Sequence, residues 1–291
     1  MSSDERTVAY DAERYQRLRP SYPPRLVDYI LSQHRGERGT LLDVGCGTGA
    51  ALSKFAPLFD HAYASDMADT MVAQARQLEI RTGTGASPSF SVASADRQSN
   101  IADASIDLAI SATACHYFSA PAWWNEMARV VKPGGTVAVW TYTLPQVQSS
   151  DRIDGAALQR LEDDIRRDLA DDARGEHPGT TIALGLYADL PLPPAEDDRW
   201  DSPVQRNFDV DAPSDPALGY MLERTLSLDD WIGFSATSSM HVGWTQRHPD
   251  LVGTASDPSV RRRRALEARG YGLDETITFS HAFATIVLRR R

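Results

Sequence analysis

Leu41-Leu-Asp-Val-Gly-Cys-Gly-Thr-Gly49 is the stretch that decides the fold. A short apolar run, Thr40 to Val44, leads into three glycines spaced G-x-G-x-G, and Ala50 to Leu58 then reads as a helix. Glycines at such a turn allow positive φ and let a ligand approach the backbone with no Cβ in the way. A P-loop would require Gly-Lys-Ser/Thr, whereas Gly49 is followed by two alanines. A dinucleotide fingerprint would require G-x-G-x-x-G. Asp43, two residues before the first glycine, suits a ligand with an ammonium group and would repel a pyrophosphate.

Outward from this loop the strand–turn–helix rhythm repeats. His61 to Ser65, Ser89 to Ala93, Ile106 to Ser111 and Thr136 to Tyr142 read as further strands, the last opened by a Lys-Pro-Gly-Gly turn. Asp69 to Ile80 and Ala122 to Val131 read as helices. Buried strands alternating with helices predict an α/β fold: a doubly wound, Rossmann-like, mostly parallel sheet of seven strands, with helices on both faces. Pro23 to His34 reads as a helix opened by proline. After Tyr142 the alternation stops. Asp151 to Ala173 is a charged helical stretch, Pro178 to Pro203 is rich in proline and acid, and Arg206 to Val210 reads as a strand. Leu228 to Ser238 and Pro258 to Arg269 read as helices, and Thr276 to Arg290 as one unbroken strand. The division predicted is a helical lid (1–39), a ligand-binding core (40–143), an acidic inserted cap (144–203) and a C-terminal completion of the core (204–291).

The 291 residues carry a net charge of −10, with 42% hydrophobic and 24% charged residues, which excludes a disordered chain and disfavours a general nucleic-acid binder. Asp151 to Asp201 holds 14 acidic and 6 basic residues, so most of the excess lies there. That segment is expected to cover an acceptor pocket. Only Lys54 and Lys132 are lysines, and Cys46 and Cys115 are the two cysteines, so neither lysine-based covalent chemistry nor a disulfide framework nor a four-ligand zinc site is expected. The polar, acidic start and the lack of a spanning apolar run predict a cytoplasmic protein with no membrane partner, either a monomer or a homodimer.

Asp66 ends the second strand 17 residues beyond Gly49, where a carboxylate accepts bonds from ribose hydroxyls. Asp96 follows the third strand and is placed to accept from an adenine amino group. Together with Asp43 they describe a site for an adenosine bearing an amino-acid tail.

At these residues the chain resembles the class I S-adenosylmethionine-dependent methyltransferases, through Leu41–Gly49, Asp66, Ala95-Asp96, Ile106-Asp-Leu-Ala109 and Ala128-Arg-Val-Val-Lys-Pro-Gly-Gly135. The resemblance implies S-adenosylmethionine as cofactor, S-adenosylhomocysteine as product and no metal. It implies cofactor contacts from Tyr15, Asp43, Gly45, Cys46, Gly47, Thr48, Gly49, Asp66, Met67, Ala95, Asp96, Ala112 and Thr113. Arg129 and the Pro-Gly-Gly turn are read as structural, the arginine in an ion pair. Tyr15-Gln-Arg-Leu-Arg-Pro-Ser-Tyr-Pro23, Cys115-His-Tyr-Phe118 and Trp123-Trp124 are similar to the trans-aconitate methyltransferase-like branch, which methylates small carboxylic acids. One departure is that Ala236-Thr-Ser-Ser239 stands where relatives carry Thr-Trp-Ser.

His116, beyond the fourth strand, is read as a group that bonds the acceptor or acts as base. Tyr15, Tyr22, Trp123 and Trp124 are read as an aromatic lid, with one tryptophan of the pair in the core. Arg14, Arg17 and above all Arg19 are read as carboxylate binders. Cys115 is read as a small buried residue, Arg261 to Arg264 as a solvated face, and the remaining histidines as surface groups. The expected reaction is O-methylation of a small carboxylic acid by in-line displacement, with His116, Trp123 and Arg19 at the acceptor. The alternatives are O- or C-methylation of a hydroxylated or polyketide-like metabolite, and a non-catalytic cofactor-binding module.

Overall fold

The computed structural model describes residue 18 and residues 22–172, 178–208 and 222–291. Its strands are β1 (Thr40–Val44), β2 (His61–Asp66), β3 (Ser89–Val92), β4 (Ile106–Ala112), β5 (Val131–Tyr142), β6 (Gln146–Val147), β7 (Val204–Phe208), β8 (Leu222–Ser227), β9 (Thr276–His281) and β10 (Phe283–Arg289). The chain forms two compact units.

The larger unit, residues 21–144, 178–222 and 281–291, holds a seven-stranded sheet in the order β3-β2-β1-β4-β5-β10-β7. The first five strands run parallel, and β10 lies antiparallel to both β5 and β7. Register is set by apolar residues that alternate across β1. Leu41 faces a cluster with Ile30, Phe55, Leu108 and Trp140, while Leu42 and Val44 face one with Trp123, Met127 and Val139. Burial on both faces makes β4 an almost unbroken apolar strand. Helix α1 (Pro24–Gln33) lies on the Leu41 face with Leu26, Val27, Tyr29 and Ile30 buried. Helix α2 (Leu52–Phe55) is shorter than predicted and passes into a 3-10 turn, Ala56–Leu58. Pro57, which has no N–H to continue the α-helical bonding, sits in the first turn of that 3-10 segment. Helix α3 (Asp69–Gln77) follows β2, and α4 (Ala120–Val130) covers the Leu42 face.

The Lys-Pro-Gly-Gly turn does not precede the fifth strand but lies inside it. Pairing jumps from Ile106↔Val131 to Leu108↔Thr136, so the extra residues form an irregularity in a strand that starts at Val131. Arg129 is structural as predicted, gripping Glu126 and Asp103 at 2.6 Å each.

The smaller unit, residues 1–20, 145–177 and 223–280, contains α5 (Gly155–Asp172) and a three-stranded sheet, β6-β9-β8. The linear division at 144 and 203 does not coincide with these units. Residues 178–222, with α6 (Pro178–Leu184), fall with the large sheet, and residues 223–280 fall with α5. The expected strand Thr276–Arg290 is broken at Ala282, with β9 in the small sheet and β10 in the large one. Leu228–Ser238 is also two helix ends. Helix α7 (Leu228–Ser235) stops, and Ser238 caps α8 (Ser239–Arg247) by accepting from the His241 amide. In α9 (Pro258–Glu267) the arginine run is not uniformly solvated. Arg262 is 2% exposed and grips Glu162 with two bonds, at 2.7 and 2.9 Å. No helix among the described residues is long and apolar enough to cross a membrane.

Candidate active site

Asp43, Asp66 and Ala112 lie at or beside the carboxyl ends of the parallel strands β1, β2 and β4 of the larger unit, and the glycine loop follows β1. Asp43, on the Leu41 side of β1, is fully buried, and neither carboxylate oxygen has a hydrogen-bond partner. Burial, and then the charge of Asp66, pushes its carboxyl up to about 8, while the backbone at Leu52 favours the ionised form. The amides of Gly45 and Cys46 both donate to the Ser65 carbonyl, at 2.8 and 2.9 Å, tying the loop to β2. Asp66 completes the brace: Oδ2 accepts from the Gly47 amide and Oδ1 from the Ala68 amide, each at 2.9 Å. Burial raises the Asp66 carboxyl, and these amides oppose the rise.

Two glycines of the loop are required for different reasons. At Gly45 (φ +69°) a Cβ would lie 2.6 Å from that of Ala114. At Gly47 (φ +53°) nothing lies within 4 Å of the added atom, so the loop faces open space there. Thr48 and Cys46 are buried, and the Cys46 thiol is pushed well above its ordinary value by burial and then by Asp43 and Asp66, which leaves it inert. Met67 is 52% exposed, Ala95 is buried, and Asp96 is exposed and accepts from the Ser94 hydroxyl. A buried carboxyl without partners is costly unless a cation or donor meets it. These acceptors therefore fit a ligand with an ammonium head and a polar sugar.

A second set of contacts lies where β4 and β5 end. Ala112 closes β4, and Thr113 takes a left-handed conformation (φ +55°), rare for a β-branched residue. Its amide donates to the Trp140 carbonyl at 2.8 Å, and its hydroxyl lies 3.1 Å from the Tyr22 hydroxyl. The Tyr187 hydroxyl donates to the same carbonyl at 3.2 Å, and His116 Nδ1 lies 3.1 Å from that hydroxyl. His116 is itself buried. Cys115 is a buried small residue, its thiol pushed up to about 12 by burial.

The aromatic lid is corrected in part. Trp123 is 2% and Trp124 3% exposed, and both belong to the core on the Leu42 face. Their rings pack on each other with centroids 4.3 Å apart, and each has a further neighbour: Trp123 packs on Phe118, while Trp124 packs on Trp200 and donates to the Pro191 carbonyl at 2.8 Å. Tyr22 does reach the site, through Thr113 and the edge of Trp140. Tyr15, Arg14, Arg17 and Arg19 lie outside the described residues. The expectation that the other histidines are surface groups fails for three of them. His34 is buried between Thr136 and Glu37, His281 bonds the Thr143 carbonyl at 2.7 Å, and His241 is 4% exposed. Each caps or fills an element end, which apolar pattern does not register. Tyr187 was missed altogether. Its only signal is an apolar island, Gly185-Leu-Tyr187, inside a proline- and acid-rich stretch. Among the described residues no group of three or more His, Cys, Asp or Glu side chains could hold a metal ion.

Residues 42–139 match the family described as a methyltransferase domain. The chain is 31% identical over 137 residues to CRG1 of Saccharomyces cerevisiae, named a probable S-adenosylmethionine-dependent methyltransferase, a match covering 47% of each chain. It is 33% identical over 138 residues to the methyltransferase AacuQ of Aspergillus aculeatus, covering 46% of this chain and 43% of the relative. The chain thus spans about half the length of the curated relatives it matches. Among solved structures, a candidate type II methyltransferase from Anaeromyxobacter dehalogenans aligns with a TM-score of 0.63 and 26% identity, over 92% of this chain and 97% of that one. The strand order, the braced glycine loop with its acidic partners and these matches agree on one reading of the core: residues 42–139 are a methyltransferase domain of the class I, S-adenosylmethionine-dependent kind.

Proposed function

We propose that this protein transfers the methyl group of S-adenosylmethionine to an oxygen of a small-molecule acceptor. The observation that carries the reading is Asp43, a buried carboxyl without partners beside an open glycine loop. In this reading Asp43 meets the α-ammonium of the cofactor's amino-acid tail. Asp66 accepts from the ribose hydroxyls with the lone pairs that the Gly47 and Ala68 amides leave. Asp96 accepts from the adenine amino group, with Met67 and Ala95 beside the ring, and the Gly45–Gly49 backbone, Ala112 and Thr113 line the tail. When bound, S-adenosylmethionine supplies an electrophilic methyl: the acceptor oxygen forms the C–O bond as the C–S bond breaks, and the electron pair leaves on sulfur as a neutral thioether. The protein aligns acceptor and donor and excludes water.

Two acceptor classes follow. A carboxylate arrives ionised and needs no base, and the motif Arg17-Leu-Arg19 supports it through bidentate pairing. A hydroxyl has a proton to lose, and His116 at the ends of β4 and β5 supports this second reading.

The test is calorimetric titration with S-adenosylmethionine, followed by radiolabelled methyl transfer to panels of small acids and of phenols or alcohols. Absence of cofactor binding sinks the whole reading. With an acid acceptor, His116→Gln keeps substantial activity. With a hydroxyl acceptor the same change costs roughly 10²–10⁴-fold.

A further inference from the structure

We propose that His34 is an acid-sensitive latch: its neutral imidazole fastens the C-terminal end of helix α1 to β5, and uptake of a proton loosens that end and, through the helix, the Tyr22 contact at the candidate site. The latch is a property of the fold and stands whether or not the chain transfers a methyl group.

The partners of the ring assign its protons. His34 directly follows α1 and closes it with its amide, which donates to the Ile30 carbonyl at 3.1 Å. Its Nε2 lies 2.8 Å from the Glu37 carbonyl oxygen, an atom that only accepts, so Nε2 carries a proton. Its Nδ1 lies 2.9 Å from the hydroxyl of Thr136, a fully buried residue of β5. In the neutral ring Nδ1 offers a lone pair and takes the hydroxyl proton, so both contacts are satisfied together. A second proton on the ring undoes this. Nδ1–H then donates to the Thr136 oxygen, and the displaced hydroxyl proton loses its only partner among the described residues, at a position closed to water.

The surroundings favour the neutral ring. His34 is 8% exposed, and burial lowers its pKa below the ordinary histidine value. The Glu37 carbonyl and the Asp107 carboxylate oppose the fall, while Arg38 and Arg289 reinforce it. Asp107, on β4, is itself held by Lys132 of β5, whose Nζ lies 2.8 and 2.9 Å from its two oxygens, and Oδ2 also accepts from the Thr40 amide of β1. Arg289 of β10 donates twice to the Gln33 carbonyl, at 3.2 and 2.7 Å, so a fixed positive charge stands at the same helix end. Phe59, beyond the 3-10 turn, presents an uncharged ring 6.2 Å away.

Helix α1 is tied at its other end to the candidate site. Tyr22, two residues before the helix, meets Trp140 edge-on, and its hydroxyl lies 3.1 Å from that of Thr113. Loosening the His34 end therefore disturbs the segment that places Tyr22 beside Thr113.

The test compares wild type with His34→Gln, as whole proteins, between about pH 7.5 and 5. Glutamine at this position can donate to the Glu37 carbonyl and accept from Thr136, as the neutral ring does, but takes up no proton. Hydrogen exchange is read in peptides covering residues 24–34 and corrected for the intrinsic effect of pH. In wild type it should quicken as pH falls below about 6.5, by up to about tenfold for each unit by which the folded ring is lowered. In His34→Gln it should stay flat. Titration of 15N-labelled histidine in wild type should show His34 neutral at pH 7, with its proton on Nε2. A ring that titrates at or above the ordinary value, or a neutral ring with its proton on Nδ1, overturns the latch even if His34→Gln does not fold. Equal quickening in both proteins does so too. Affinity for S-adenosylhomocysteine should fall more steeply with acid in wild type than in the variant; Asp43 titrates in both, so their ratio isolates His34. An equal decline overturns the link to the site. No binding by wild type at any pH sinks the methyltransferase reading instead, and leaves exchange and titration to decide the latch.

Discussion

The amide of Gly47 donates to Asp66 Oδ2 at 2.9 Å, so the carboxylate at the end of β2 shapes the loop that follows β1. One side chain therefore builds the cradle and, in the proposed complex, also bonds the ribose. Asp66→Ala is expected to weaken cofactor binding by roughly 1.5–3 kcal/mol, the loss of a charge-assisted bond. Calorimetry of the folded variant with unchanged affinity would remove Asp66 from the ribose role.

In the proposed complex Asp43 couples binding to proton release. With its carboxyl raised to about 8, the ligand-free protein holds that proton at pH 7, and an incoming ammonium favours its loss. Calorimetry in buffers of different ionisation enthalpy should register proton release on binding, absent in Asp43→Asn. The sign for stability follows from the same shift. The unfolded chain ionises near pH 4, but the folded site only near 8, so the Asp43 contribution falls as pH rises between them and levels off above. The stability of wild type relative to Asp43→Asn should decline across that window in urea titrations. A flat difference would refute the assignment.

The loop glycines should separate by phenotype. Gly45→Ala combines a left-handed side chain with a close approach to Ala114 and should cost about 2–4 kcal/mol of stability. Gly47→Ala should cost only about 1–2 kcal/mol, but its methyl enters open space above the loop and should impair cofactor binding. Denaturation and calorimetry on both variants check the split.

In the smaller unit, Glu162→Ala leaves Arg262 buried without its partner and should cost about 3–5 kcal/mol. Replacing both by apolar residues of similar size should recover most of that loss. Equal destabilisation of the single and double variants in urea would show that the pair is not what matters.

The alternating core was legible because strands buried on both faces and a glycine turn leave a dense local signal, and Thr40–Val44 coincides with β1. Asp43, Asp66 and the glycines were legible for the same reason, being fixed by spacing. Tyr187 was not, because its partner His116 is 71 residues away and its backbone conformation has no sequence mark. The break at Ala282 was also hidden. The Ala282 amide and carbonyl are satisfied by Thr143, a long-range pairing that lets an apolar run divide between two sheets. Arg262 read as solvated because it stands in a basic run on a helix, and only the facing Glu162 distinguishes it.

The position of β10 has a consequence for how the sheet assembles. β10 lies between β5 and β7 and is the strand to which each of them pairs. β7, some 75 residues earlier in the chain, has no edge to join until β10 has docked on β5. The order in which strands occur is thus the reverse of the order in which they can pair, and closing that long loop first slows folding. Until β10 arrives, β5 and β7 each present an unpaired edge, the feature most prone to pairing with other molecules. Changes that weaken β10 should therefore surface first as aggregation during refolding, before any loss in the cofactor site.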